Sequence, residues 1–212
     1  MTGEYQASAD LQEQALSIFR DLGSRQGQAN ALHNLGHISL MTGDLAAAAD
    51  LYEQSLSLFR DLGSRQGQAN TLWGLGRVRH LTGDRVAASD LYERSLSLFG
   101  SAGDLQGEAE VLTSMGELTA ESTGPGEALP LYQQALRLAR QIHSPLDEAR
   151  ALEGAARCTA QAGDRATALA DLRKAQALYQ RIESPEAEAA AAYLATLEHE
   201  DPHGTAPDRA AS

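Results

Sequence analysis

The chain is poor in most residue types that carry chemistry or span membranes. It has one cysteine, Cys158, one lysine, Lys174, and one tryptophan, Trp73. A single cysteine excludes an internal disulfide and fits a reducing, cytoplasmic compartment. Basic residues number 17 against 29 acidic ones, a net charge of −12. That argues against a nucleic-acid binder, whose affinity rests on neutralising phosphates. It argues equally against attachment to an anionic membrane surface. No apolar run approaches membrane-spanning length. The opening MTGEYQASAD has neither the basic segment nor the apolar core of a signal peptide. Arginine replaces lysine almost everywhere and alanine is abundant, which suggests a bacterial genome rich in G and C.

Aromatics are scarce too, and their placement is the first positive signal. The only phenylalanines, Phe19, Phe59 and Phe99, are 40 residues apart. Tyr52, Tyr92 and Tyr132 keep the same interval, as do Gly36, Gly76 and Gly116, and Gly23, Gly63 and Gly103. FRDLGSRQGQAN occurs verbatim at 19–30 and at 59–70. A period of this size marks a repeat array. In the first segment Leu11, Ala15, Ile18, Phe19 and Leu22 recur at helical steps, and Gly23 stops the helix by taking a left-handed conformation cheaply. Ser24, Ser64, Asp104, Ser144 and Ser184 stand on the grid as N-cap residues. Pro145 and Pro185 follow two of them at the first helical position. Thr42-Gly43-Asp44 and its equivalents close each first helix and cap the second, so the repeated Asp44, Asp84 and Asp164 read as caps.

These marks predict an all-α chain of about ten helices in antiparallel pairs. A leading half-unit occupies 1–23. Full units occupy 24–63, 64–103, 104–143 and 144–183. A closing helix occupies 184–198, and 199–212 is polar and proline-containing, expected to be a disordered tail. The segment 121–131 departs from the grid: Pro125 and Pro130 predict a helix that starts late or bends.

Two positions in each unit demand small side chains. One is Gly36, Gly76, Gly116 and Ala156; the other is Ala48, Ala88, Ala128 and Ala168. A glycine in mid-helix costs about 1 kcal/mol relative to alanine, so its recurrence implies a close helix crossing. Leu32, Leu35-Gly36, Ala48, Tyr52 and Ser55, with their equivalents, resemble the signature of the tetratricopeptide repeat. The resemblance covers about 4–197. It departs in its period of 40, in lacking the terminal proline, and in Leu32 replacing the first aromatic. The pattern is similar to the long-helix branch, which includes peptide-binding scaffolds of cell polarity and sensor arrays of actinobacterial regulators.

The resemblance implies an α-solenoid in a right-handed superhelix, with the first helix of each unit lining a concave groove. In that register the groove receives Asn30, His33, Asn34 and His37, then Asn70, Trp73 and Arg77. Glu110, Glu117 and Glu121 follow, then Arg150 and Arg157. These positions vary while the core letters hold steady, so they are free to read a ligand. The N-terminal part is expected to be aromatic and weakly basic, the middle acidic. That polarity suits a peptide or helix of a protein partner bound in one direction. Trp73 and Arg77 are the foremost candidates, since Trp and Arg dominate interface hot spots.

Catalytic signals are weak. His33 and His37 permit two metal ligands, but the grid supplies no third. Cys158 sits among alanines and reads as a structural thiol. Ser-Arg-Gln-Gly lacks the glycine pattern and lysine of a phosphate loop. The expectation is a non-enzymatic interaction module without metal or cofactor, such as the sensor part of a bacterial signalling or transcription regulator. The alternative is a module that oligomerises end to end through its terminal helices.

Overall fold

A computed structural model describes residues 2–199 of the chain. Among them the elements are helices only: α1 (Thr2–Asp21), α2 (Arg25–Thr42), α3 (Leu45–Asp61), α4 (Arg65–Leu81), α5 (Arg85–Ala102), α6 (Leu105–Ser122), α7 (Pro125–Gln141), α8 (Pro145–Gln161), α9 (Arg165–Arg181) and α10 (Glu186–His199). The predicted tail lies outside the described residues except for His199, which closes α10.

The breaks fall where the caps dictate. Ser24, Ser64, Asp104 and Ser144 each accept the amide of the third residue beyond, satisfying a first-turn donor. Asp44, Asp84 and Asp164 do the same for α3, α5 and α9. Ser184 instead donates its hydroxyl to Glu186. Gly43 closes α2 at φ 85°, a backbone conformation that costs a side chain dearly. His143 (φ 55°) and Glu183 (φ 54°) hold the left-handed position that Gly23, Gly63 and Gly103 fill earlier.

Helices pack on their chain neighbours, and α2, α4, α6 and α8 also touch one another in succession. The result is a solenoid whose core runs lengthwise, each unit leaning on the next. α2, α4, α6 and α8 are the first helices of the units; α3, α5, α7 and α9 are the second helices. Ala48, Ala88, Ala128 and Ala168 are fully buried, as the small-residue pattern predicts. Ser55 and Ser95 tie second helix to first, donating to the carbonyls of Ala29 and Ala69 at 2.8 Å each.

The tyrosines set the spacing of the first helices. Tyr52, on α3, wedges between α2 and α4: a Cβ added at Gly36 would stand 2.9 Å from its ring, and one at Gly74 2.5 Å. Tyr92 meets Gly76, and Tyr132 meets Gly116 and Gly154. Phe19, Phe59 and Phe99 fill the space a side chain would take at Gly27, Gly67 and Gly107. The joint between the third and fourth units reverses the sizes. Ala139 stands where the phenylalanines stood, and Asp147, where the glycines stood, is buried.

Of the two outcomes expected for the segment 121–131, a late start or a bend, the late start is excluded. α7 begins at Pro125, in step with Leu45, Arg85 and Arg165, so it does not start late. Gly124 (φ 111°) replaces the capping aspartate, and Pro125 enters at the first turn, where its missing N–H is harmless. Pro130 lies inside the helix, on its exposed side. In α1, Leu11 and Ile18 are 65% and 57% exposed and Leu22, in the turn beyond, 72%, while Leu16 is buried.

Candidate functional site

The varied positions of the first helices divide into two cavities. The larger holds about 530 Å³ and takes His37 and Met41 from α2, Trp73 and Arg77 from α4, Glu110 and Glu117 from α6, and Asp147 and Arg150 from α8. Residues from four units therefore converge because the tyrosine wedges hold the four helices side by side. The smaller holds about 340 Å³, and Asn30, His33, Asn34 and Asn70 are among its walls. Glu121 and Arg157 belong to neither. Glu121 accepts from His80 at 3.1 Å and lies 3.7 Å from Arg85. Arg157 pairs with Glu153 at 2.7 Å and covers the Tyr193 ring at 4.3 Å.

Trp73 is fixed from below. Its indole N–H donates to Ser114 Oγ at 2.9 Å, and Ser114 in turn donates to the Glu110 carbonyl at 3.2 Å. The Arg77 guanidinium stands 5.5 Å from the Trp73 ring centre, within range of a cation–π contact. An aromatic wall locked by a neighbour's hydroxyl loses little rotamer freedom when a ligand packs on it.

His33 Nδ1 lies 3.2 Å from Thr71 Oγ1, and its ring lies 5.4 Å from that of Tyr52. Burial, with His37 close by, lowers its pKa to about 4. His37 is lowered by desolvation of its inward side and by Arg77. Both rings are neutral at pH 7, so of His33, His37, Trp73 and Arg77 only Arg77 carries charge. On the opposite wall, burial raises the pKa of Glu110, and Asp147 adds to the shift. Glu117 keeps an exposed flank, yet desolvation against the wall raises it too, opposed by His80, Arg77 and Arg150. Arg150 is already held by Glu186 at 2.6 Å. The cavity thus has a cationic, aromatic side at Trp73 and Arg77 and a crowded acidic side at Glu110, Glu117 and Asp147.

Asp147 and Ser114 are the members that sequence reasoning missed. Asp147 was legible as the break in the series Gly27, Gly67, Gly107. Ser114 belongs to a small-residue series, Gly74, Ser114 and Gly154, which has meaning only once the tyrosines are seen between helices. Cys158 is buried and its thiol pKa is raised by that burial, as for a structural thiol. Among the described residues no three His, Cys, Asp or Glu side chains gather as a metal cluster would require. No described helix is long and apolar enough to cross a membrane.

A family model described as Tetratricopeptide repeat matches residues 1–61, 28–101 and 67–141. No curated protein sequence matches. Solved structures share the fold at low identity. BtubC (BKLC) from P. vanneervenii is 20% identical with a TM-score of 0.67, over 100% of this chain and 80% of its own. A putative kinesin light chain with nearly identical TPR-like repeats from Podosopora anserina is 17% identical with a TM-score of 0.62, over 85% of this chain and 90% of its own. A Rap protein complexed with competence and sporulation factor is 15% identical with a TM-score of 0.74, over 86% of this chain and 51% of its own.

Proposed function

Because the chain belongs to the tetratricopeptide-repeat family, we propose that it is a non-enzymatic protein-interaction scaffold that holds a peptide or helix of a protein partner across the face of α2, α4, α6 and α8. One observation carries the reading: varied residues from four units line the larger cavity, while the residues that pack the array repeat. A surface used only for packing would show no such division.

The partner lies along the cavity in one direction. An acidic or carboxylate-bearing group meets Arg77, an apolar side chain packs on Trp73, and a basic group meets Glu110 and Glu117. The unmatched charges there set orientation and association rate more than affinity. The asparagines Asn30, Asn34 and Asn70 of the smaller cavity extend the contact with hydrogen-bonding amides, as suits an extended backbone. A neighbour of the same fold, the Rap protein, is recorded complexed with competence and sporulation factor, which supports reading the array as a binding scaffold. A cytoplasmic role as the sensor part of a bacterial regulator fits the composition.

The test is a pull-down from the native source with the wild-type chain beside a Trp73→Ala/Arg77→Ala variant. A protein captured by the first and lost by the second supports the proposal. Equal capture by both, with the variant's helicity intact, overturns the placement of the site. A turnover assignable to the purified chain would overturn the non-enzymatic reading.

A further inference from the structure

The two cavities of the first helices differ at one place in the repeat. In the smaller, Phe59 and Gly67 belong to the wall, and the Phe59 ring takes the room a side chain on Gly67 would need. Two units on, those places are Ala139 and Asp147, and Asp147 belongs to the wall of the larger cavity. An apolar closure has given way to a carboxylate.

That carboxylate is 4% exposed and short of partners. The Ser144 hydroxyl donates to its Oδ2 at 2.6 Å. Among the described residues nothing donates to its Oδ1. On α6, Glu110 Oε1 accepts from the Gln106 amide at 3.3 Å, and Glu117 accepts from no described residue. Four carboxylate oxygens are therefore open: Asp147 Oδ1, Glu110 Oε2 and both of Glu117. Among the described residues no cation stands within ion-pair range of these three side chains. Arg150, one turn past Asp147, reaches Glu186 instead, and Arg77 lies on the Trp73 ring. A buried carboxylate left without a cation or donors is costly, and burial raises the pKa of Glu110 and Glu117 accordingly.

The walls select the cation that would relieve this cost. An ammonium offers three donors from one point, a guanidinium five in a planar fork. Four open oxygens spread over two helices suit the fork. Trp73 gives an aliphatic stem an apolar wall, and Arg77 on that wall repels a second cation toward α6 and α8. On the scaffold reading of this face, we propose that the larger cavity takes an arginine side chain of the partner, its guanidinium bonded to Asp147, Glu110 and Glu117 and its stem laid along Trp73. Asp147 then has two duties: Oδ2 serves Ser144 at the start of α8, and Oδ1 serves the ligand.

Trp73 fluorescence, titrated with N-acetyl-arginine amide, tests it. The purified chain should bind this probe with a dissociation constant of about a millimolar, as suits so small a ligand. N-acetyl-citrulline amide, alike in shape but uncharged, should bind about tenfold more weakly, and N-acetyl-lysine amide about threefold more weakly. Asp147→Asn keeps an oxygen for the Ser144 hydroxyl, so it should preserve the helical circular dichroism while weakening the arginine probe about fivefold or more. Glu117→Gln, at an exposed position, should weaken it as well. Glu93→Gln, on the exposed face of α5, should not. No binding up to about 20 mM, equal binding of the citrulline or lysine probe, or indifference to both Asp147→Asn and Glu117→Gln overturns the proposal. A partner captured through Trp73 and Arg77 but indifferent to Asp147→Asn overturns the arginine anchor and leaves the scaffold. An arginine probe bound through Asp147 with no protein captured overturns the scaffold and leaves the arginine site.

Discussion

The ring of Tyr132 lies where a side chain on Gly154 would stand, so that a Cβ added there would overlap it. The two residues belong to different units, 22 positions apart, and the relation recurs along the array. Tyr52 faces Gly74, and Tyr92 faces Ser114. At the C-terminal end the sizes even out: Leu172 and Leu194 share one cluster. At the N-terminal end the Asn34 side-chain amide donates to Gln12 at 3.3 Å. A large residue on the second helix requires a small one on the next first helix, and this pairing sets how closely the walls of the cavity stand.

Gly154→Leu should therefore destabilise the fold by about 3 kcal/mol or more, since overpacking a rigid ring leaves little room to relax. Combining it with Tyr132→Leu reproduces the pairing found at Leu172 and Leu194. The double variant should be more stable than the sum of the single effects by about 1 kcal/mol or more. Chemical denaturation of the four proteins measures the coupling, and additive losses would count against the pairing.

His143 sits at φ 55° in a place that three other units give to glycine. A left-handed conformation costs an ordinary residue roughly 1–2 kcal/mol, part of which glycine's greater freedom in the unfolded chain cancels. His143→Gly should raise stability by about 0.5–1 kcal/mol. An unchanged or lower melting temperature would contradict the strain argument.

The pKa of His33 falls from 6.5 to about 4 on folding. The unfolded chain then binds this proton more tightly than the folded one. Its contribution is whole above about pH 6.5 and is lost as pH falls toward 4, an effect of at most about 3 kcal/mol. Glu110 and Glu117, with raised pKa values, act oppositely, favouring the fold as pH falls through their folded values. The His33 share is read by difference: His33→Gln should flatten the decline in melting temperature between pH 6.5 and 4.

Trp73 is the only tryptophan and lines the larger cavity, so its fluorescence reports on that cavity alone. A captured partner peptide should shift the emission of Trp73. Arg77→Gln should weaken the complex about five- to tenfold and reduce its dependence on salt, as expected on losing one charged contact. A peptide that binds with no change in emission would place the ligand elsewhere.

Much of the fold was legible before any coordinates. The caps at Ser24, Asp44 and their equivalents act locally, between a side chain and an amide three residues away. The helix breaks follow from them and from Gly23, Gly43 and Gly63. Even the burial of Ala48 and its equivalents follows from a 40-residue period, because each unit meets the same neighbour. The exposure of Leu11 and Ile18 on α1 was not legible in the same way, since their equivalents Leu51 and Leu58 on α3 are partly buried.

The sequence by itself determined the helices, their joints and the repeating core, because those depend on contacts a few residues apart or one period apart. The tertiary structure alone decided which varied residues share a cavity. It joined His37, Trp73, Glu117 and Arg150 across four helices, set Asn30 and His33 apart, and gave Glu121 and Arg157 other partners. It also decided how hard His33 is to protonate, since burial, with His37 close by, lowers its pKa to about 4. Distances and desolvation between units follow from how large and small side chains interlock, and the one-dimensional period records that some side chain must be small without saying what fills its place.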